Sequence, residues 1–211
     1  MEEEITCFKF SNAVRSNNLK LAKLYIPEVP KDNLSLIFIH LFSTPNYILS
    51  DNAYEIIKFL LENGADPNIG DSLRHYRTAL HYINFSTMNE KRNDYYQNKS
   101  IQISMLLLDY GADPNQTCLV INRPTPWSQL FWCKDKKLIK KYLEKGADPQ
   151  YYIDYHLNFP EIYRAESYLY SVSKNYLEKL EAKKKAEEKV RELVVQKLYH
   201  RVGGINLDGY F

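Results

Sequence analysis

Apolar positions recur along this chain at helical spacing. In NAYEIIKFLLEN (52–63) Ile56, Ile57, Leu60 and Leu61 fall on one face of a 3.6-residue period. LSLIFIHLF (34–42) precedes it as the other half of a helix pair, and FSNAVRSNNLKLAKLYI (10–26) reads as two short helices turned by Asn17-Asn18. A different texture closes the chain. From 173 to 201 there is neither Gly nor Pro, and good helix formers predominate, which predicts one long helix over about 174–201. Its stretch 181–189, EAKKKAEEK, is polar on every face, so that part is not expected to lie on a core; Glu181/Lys185 and Glu187/Arg191 can support it in solvent. Beyond it Val190, Leu193, Val194 and Leu198 resume an apolar stripe. That stripe needs a mate: a second copy, a partner, or the tail folded back.

Three segments repeat: FLLENGADPN (59–68), LLLDYGADPN (106–115) and KYLEKGADPQ (141–150). Each is the end of an apolar helix followed by Gly-Ala-Asp-Pro. Gly64, Gly111 and Gly146 can take the left-handed conformation that ends a helix, and the Pro three residues later stops it from resuming.

These strings resemble the ankyrin repeat, whose second helix ends in Leu-Leu-x-x-Gly-Ala-Asp and whose first opens with Thr-Pro-Leu-His. Thr78-Ala79-Leu80-His81 and Thr125-Pro126-Trp127-Ser128 extend the match. Thr125 to Gly146 is 21 residues, the family's interval within a period of about 33. Thr78 to Gly111 is 33, which places twelve extra residues between the helices of that repeat, around 86–100. Gly64 to Thr78 and Gly111 to Thr125 are each 14, so both hairpins carry two extra residues. Upstream, His40 matches His81 while Ile37 stands at the Thr position, making a degenerate repeat. The reading is all-α: an ankyrin-repeat solenoid of four to five helix-turn-helix units with hairpin loops over 1–158, with a cap at 5–30 and repeats at 31–70, 71–117 and 118–150. A helical extension over 159–211 completes the chain, containing the long helix and a short tail. Pro160 is expected to open one more first helix.

Solenoid units stack into a continuous core and leave a curved face free. The resemblance implies that hairpin tips and the exposed inner face of each first helix bind a protein partner there. Residue by residue, that points to Arg74, His75, Tyr76 and Arg77 on the first tip, beside Leu73, and to Asn122 and Arg123 on the second. Trp127 falls where the family has a core Leu. Trp132 lies where its variable surface begins and is a candidate contact. Tyr151, Tyr152 and Tyr155 make the third tip aromatic, either packing beneath the C-terminal helix or anchoring a partner.

Composition changes this picture little. The net charge is +2; residues 174–201 hold nine Lys/Arg and five Glu, a net of +4, so the remainder sums to −2. Nucleic acid and membrane are therefore poor partner candidates, a basic-helix attachment being the third-ranked reading. Cys7, Cys118 and Cys133 have no metal or disulfide spacing. His40, His75, His81, His156 and His200 are scattered, and no GxSxG, HExxH, Walker A or kinase signature occurs. No catalytic residue, cofactor, metal or small-molecule substrate is expected. The acidic start MEEEITCFKF and the lack of a long apolar run lead to the expectation of a cytoplasmic protein without signal peptide or membrane span. Richness in Tyr, Lys and Asn resembles the ankyrin effectors of intracellular bacteria such as Legionella, which adds delivery into a host cytoplasm. A structural protein that oligomerises through its long helix is the alternative.

Overall fold

The computed structural model describes residues 2–44, 47–87, 94–120, 122–130, 133–158 and 168–201. The described residues are helical, with one isolated β-bridge between Asp71 and Arg77. The helices are α1 (Glu2–Arg15), α2 (Leu19–Tyr25), α3 (Lys31–Ser43), α4 (Ala53–Glu62), α5 (Ala79–Thr87), α6 (Asp94–Asp109), α7 (Lys136–Glu144), α8 (Pro149–Asn158) and α9 (Tyr168–Arg201). Three short 3-10 turns intervene, including Tyr47–Leu49 and Ser128–Leu130.

They stack in two layers. α1, α3, α5, the Ser128–Leu130 turn and α8 form one, each packed on the next, while α4, α6 and α7 run along the other. One apolar cluster threads both, from Phe10 and Val14 through Phe38, Ile56, Leu60, Leu80, Ile83, Leu107 and Leu138 to Trp127, Tyr142 and Tyr152. The cap turns where Asn17 takes a positive φ of 61° and Asn18 accepts from the Leu21 amide to start α2.

The Gly-Ala-Asp-Pro turns carry a regular clasp. Gly64, Gly111 and Gly146 have φ of +94°, +87° and +86°, the left-handed helix ending that an L side chain resists. Inside each turn Asp66, Asp113 and Asp148 accept from the amide two residues on. Between turns, the Asn68 side chain donates to Gly111 O at 2.9 Å and accepts from Asp113 N at 2.7 Å. Asn115 does the same to Gly146 O and Asp148 N, both at 2.8 Å. Ser35 Oγ begins the series by accepting from Asp66 N. Gln150 stands at the next position and its side chain turns to Asp154, so the ladder stops there.

Four features depart from the expectation. His40 is not the equivalent of His81: it lies in the last turn of α3, where its carbonyl accepts from the Ser43 and Thr44 hydroxyls, whereas His81 caps the start of α5. The helix expected to open at Thr125 is reduced to the Ser128–Leu130 turn. Thr125 and Ser128 bond each other's amides through their hydroxyls, closing that turn on itself, and the Asp135 carboxylate starts α7 soon after. Pro149 does not stop a helix but begins α8, where its missing N–H and fixed φ suit a first position, so a helix starts eleven residues before Pro160. Finally, α9 begins at Tyr168 rather than near 174. Its first turns belong to the array, since Leu169 and Ser173 are buried and α9 packs on α8. Of the twelve-residue insertion, 86–87 extend α5 and 94–100 lengthen α6, with Lys99 Nζ donating to Ser50 O at 3.0 Å.

Candidate functional site

Two hairpins project at the first-layer edge of the stack, 71–77 and 118–124. The first is pinned by Asp71, which is only 3% exposed. Its amide donates to Arg77 O, its carbonyl accepts from Arg74 N and Tyr76 N, and its carboxylate accepts from Leu73 N at 3.0 Å and the Tyr82 hydroxyl at 2.7 Å. Burial and the adjoining carboxylate raise the Tyr82 pKa, keeping its phenol a neutral donor. At the tip, Arg77 N–H closes onto Arg74 O at 3.4 Å around His75 and Tyr76, whose φ are 61° and 56°. A two-residue turn left-handed at both centres is the geometry that Asn-Gly fills with least strain.

The second hairpin closes with Arg123 N on Val120 O and also holds two consecutive left-handed residues, with φ of 71° at Asn122 and 44° at the closing Arg123. Each left-handed non-glycine residue costs about 1 kcal/mol relative to a relaxed backbone. Four such residues on two adjacent tips are a local strain that nothing in the core requires.

The tips are joined to each other. Leu119 N–H donates to His75 O at 2.8 Å, and the Tyr151 hydroxyl of α8 donates to Arg123 O at 2.8 Å. Behind them, His81 accepts from Thr78 N at Nδ1 and meets Pro124 O at 3.1 Å through Nε2, a pattern met by the neutral ring with its proton on Nε2. Burial first, and Arg77 nearby, lower the His81 pKa to about 4.

The predicted contact residues therefore divide. Arg74, His75, Tyr76 and Arg123 are exposed, and Arg77, Asn122 and Tyr151 are half-buried, on elements joined by hydrogen bonds. Tyr152 is a correction: it is buried on α8, its ring 6.4 Å from Trp127 and edge-on to it, and so it packs the last layer. Trp127 is buried, as its place in the repeat implied. Trp132 and the Tyr155 side chain lie outside the described residues. Sequence reasoning passed over Leu119, which is 60% exposed and bonds through its amide to the first tip, where Leu73 is 84% and Tyr76 51% exposed. The signal was there, a Leu inside each turn-rich loop where polar residues are the rule.

No group of three or more His, Cys, Asp or Glu able to hold a metal occurs among the described residues. An open groove of about 570 Å³ between α1 and α3 holds Cys7, whose sulfur accepts from the Asn33 amide at 3.3 Å, with Phe8, Leu36 and His40.

The ankyrin-repeat family profile matches residues 40–72, from the last turn of α3 through α4 to the first hairpin. A putative ankyrin repeat protein of Rickettsia felis is 37% identical over 83 residues, covering 39% of this chain and 31% of that protein. The chain carries an ankyrin repeat. This chain thus spans about a third of that relative's length. Ankyrin repeats indicate a protein–protein interaction module. Among the described residues, no helix is long and apolar enough to cross a membrane.

Proposed function

We propose that this ankyrin protein is an adaptor or inhibitor that binds a protein partner across the hairpin face, with Leu73, Arg74, His75, Tyr76, Arg77, Leu119, Asn122 and Arg123 in contact and Tyr151 at its margin. The observation that carries the reading is the row of hydrogen bonds joining 71–77, 118–124 and α8, one between backbones and one from the Tyr151 hydroxyl, beside exposed apolar and guanidinium groups. A pre-ordered backbone spares the ordering entropy of binding, and Tyr and Arg are favoured as anchors. Affinity capture with the wild type and with Arg74→Glu/Arg77→Glu tests it. Loss of specific partners is expected; equal recovery by both proteins removes this face from the interface.

The composition shared with effectors of intracellular bacteria supports a partner in a host cytoplasm. A reporter fusion that fails to reach infected host cells counts against that setting while leaving the binding face untouched.

A second reading is favoured by α9. From Glu178 to Lys197 every residue is exposed, including Val190, Leu193, Val194 and Val195, so the distal helix carries an apolar stripe with no mate among the described residues. Self-association through that stripe predicts a dimer in light scattering that becomes a monomer on truncation after Leu180. A monomer in both forms eliminates it.

A further inference from the structure

The chemistry of the tips narrows the partner class. Arg74 and Arg123 are exposed on the two joined hairpins, and Arg77 adds its charge at the base of the first. The one carboxylate of the tips, Asp71, is turned inward onto Leu73 N and the Tyr82 hydroxyl, where it anchors the loop rather than facing a ligand. The tips are thus a basic spot on an array that, without 174–201, sums to −2. Apolar surface is interleaved with that charge at Leu73, Tyr76 and Leu119.

Backbone strain supplies an independent observation. His75, Tyr76 and Arg123 all hold left-handed conformations that Gly would fill without strain. Sparsely populated backbone conformations persist where the side chains have a use, and they cluster at ligand clamps. At these three positions the strained residue is a cationic or aromatic side chain that reaches solvent.

We infer that the two tips accept an acidic peptide segment bearing one apolar anchor residue. Its carboxylates pair with Arg74 and Arg123, and its anchor seats on the Leu73, Tyr76 and Leu119 patch. This rests on the hairpin face being the binding surface, and it adds the class of ligand. Guanidinium groups match carboxylates in two-point geometry, which lysines do not, and the tips present only Arg. A nucleic-acid strand fits less well: binding to its backbone draws on many phosphate contacts, commonly about 6–10, and three arginines interrupted by leucines do not supply them.

The experiment selects a phage-displayed random dodecapeptide library on the full chain, in parallel with Arg74→Glu/Arg123→Glu, Arg123→Gly and Tyr76→Ala/Leu119→Ala. Wild type is expected to enrich sequences with Asp or Glu flanking a Leu, Phe or Trp, and the charge-reversed chain to lose that enrichment. One enriched peptide, followed by fluorescence anisotropy, should bind about tenfold more weakly to the charge-reversed chain and more weakly at 0.5 M than at 0.05 M salt, because screening shortens the reach of exposed charges. Arg123→Gly discriminates a binding role from a structural one: glycine takes the left-handed φ of 44° at this position without strain, so its urea midpoint should equal or exceed that of wild type while affinity falls about threefold. A fall in midpoint with affinity unchanged overturns the assignment of Arg123.

Enrichment of uncharged or basic peptides that is lost in Tyr76→Ala/Leu119→Ala overturns the acidic chemistry and leaves the hairpin face as the interface. Enrichment that survives every tip variant, or no enrichment, overturns both. Displacement of the peptide by a twenty-residue oligodeoxythymidine with matching loss in Arg74→Glu/Arg123→Glu would assign the site to phosphate backbones instead.

Discussion

Asn84→Ala removes the polar joint that holds the shortened repeat in place. Asn84 lies on α5 and is fully buried; its Nδ2 donates to Pro126 O at 2.6 Å, and its amide exchanges a hydrogen bond with the Tyr142 hydroxyl, 2.9 Å from Nδ2 and 3.1 Å from Oδ1. Tyr142 is also fully buried, with its ring against Trp127 at 6.0 Å. Pro126 lies two residues before the Ser128–Leu130 turn and Tyr142 sits on α7, so one amide joins three parts of two repeats. Alanine leaves a carbonyl and a hydroxyl that water cannot readily reach. Each such orphan costs about 1–3 kcal/mol, so a loss of about 2–4 kcal/mol is expected, far above the change of roughly 0.5 kcal/mol usual at surface sites. Tyr142→Phe removes the hydroxyl yet leaves the Pro126 bond, and should cost about 1–2 kcal/mol. Because both variants break the same bond, the pair should be less than additive by at least about 1 kcal/mol. Urea titration of the full chain by circular dichroism, alongside tryptophan fluorescence reporting on Trp127, measures all three. An Asn84→Ala midpoint close to wild type, or strictly additive losses, would refute the joint.

Stability should fall on acidification through His81. Its pKa in the fold is about 4, below the ordinary value of 6.5, so neutral His81 contributes fully above about pH 6.5 and that contribution is lost as pH drops toward 4. The difference amounts to about 3 kcal/mol. His81→Gln should flatten the slope of unfolding free energy over that window; an unchanged slope contradicts the assignment. Asn115→Ala breaks the clasp to Gly146 O and Asp148 N, but these lie at an exposed turn where water can substitute, so about 1 kcal/mol is expected. Hydrogen exchange at the Asp148 amide should speed up about fivefold, and unaltered protection would show that the clasp adds nothing. At Gly111 an added Cβ would meet nothing within 4 Å, so Gly111→Ala isolates the backbone strain of φ +87°: a loss of about 1–2 kcal/mol by urea midpoint, with a neutral result arguing against the left-handed helix ending.

Much of the fold was legible because its signals are local and repeated. A Gly that must be left-handed, an Asp that closes an Asx turn and an apolar helix before them recur three times, and a conformational requirement met three times at one register leaves little freedom. Where the signal depended on a partner far along the chain, the pattern misled. Pro149 looks like Pro67 and Pro114, yet it starts a helix, because the elements packed beyond it are α8 and α9 rather than another hairpin. Thr125-Pro126 looks like a helix start, but the reciprocal Thr125 and Ser128 bonds, the Trp127 amide on Pro114 O and the joint to Asn84 fix a single turn there. His40 shares a residue type with His81, and a histidine's role is set by which end of a helix it occupies.

The binding face was legible in residue type and hidden in backbone. Arg74, His75, Tyr76 and Arg123 stand out as loop residues of the kinds that bind, while Leu119 is lost among apolar letters that usually mean core. The decisive property, left-handed φ at His75, Tyr76, Asn122 and Arg123, has a clear sequence sign only when Gly is present, or Asn as at Asn122; His, Tyr and Arg disguise it. Sequence rules read the unstrained solution to a turn, and a tip that departs from it is invisible to them. In a stack whose core and clasps choose the relaxed residue at turn after turn, the two tips that do not are where selection for something other than folding would show. That is why Arg123→Gly, expected to hold or raise stability while lowering affinity, separates the physics of the array from the use made of it.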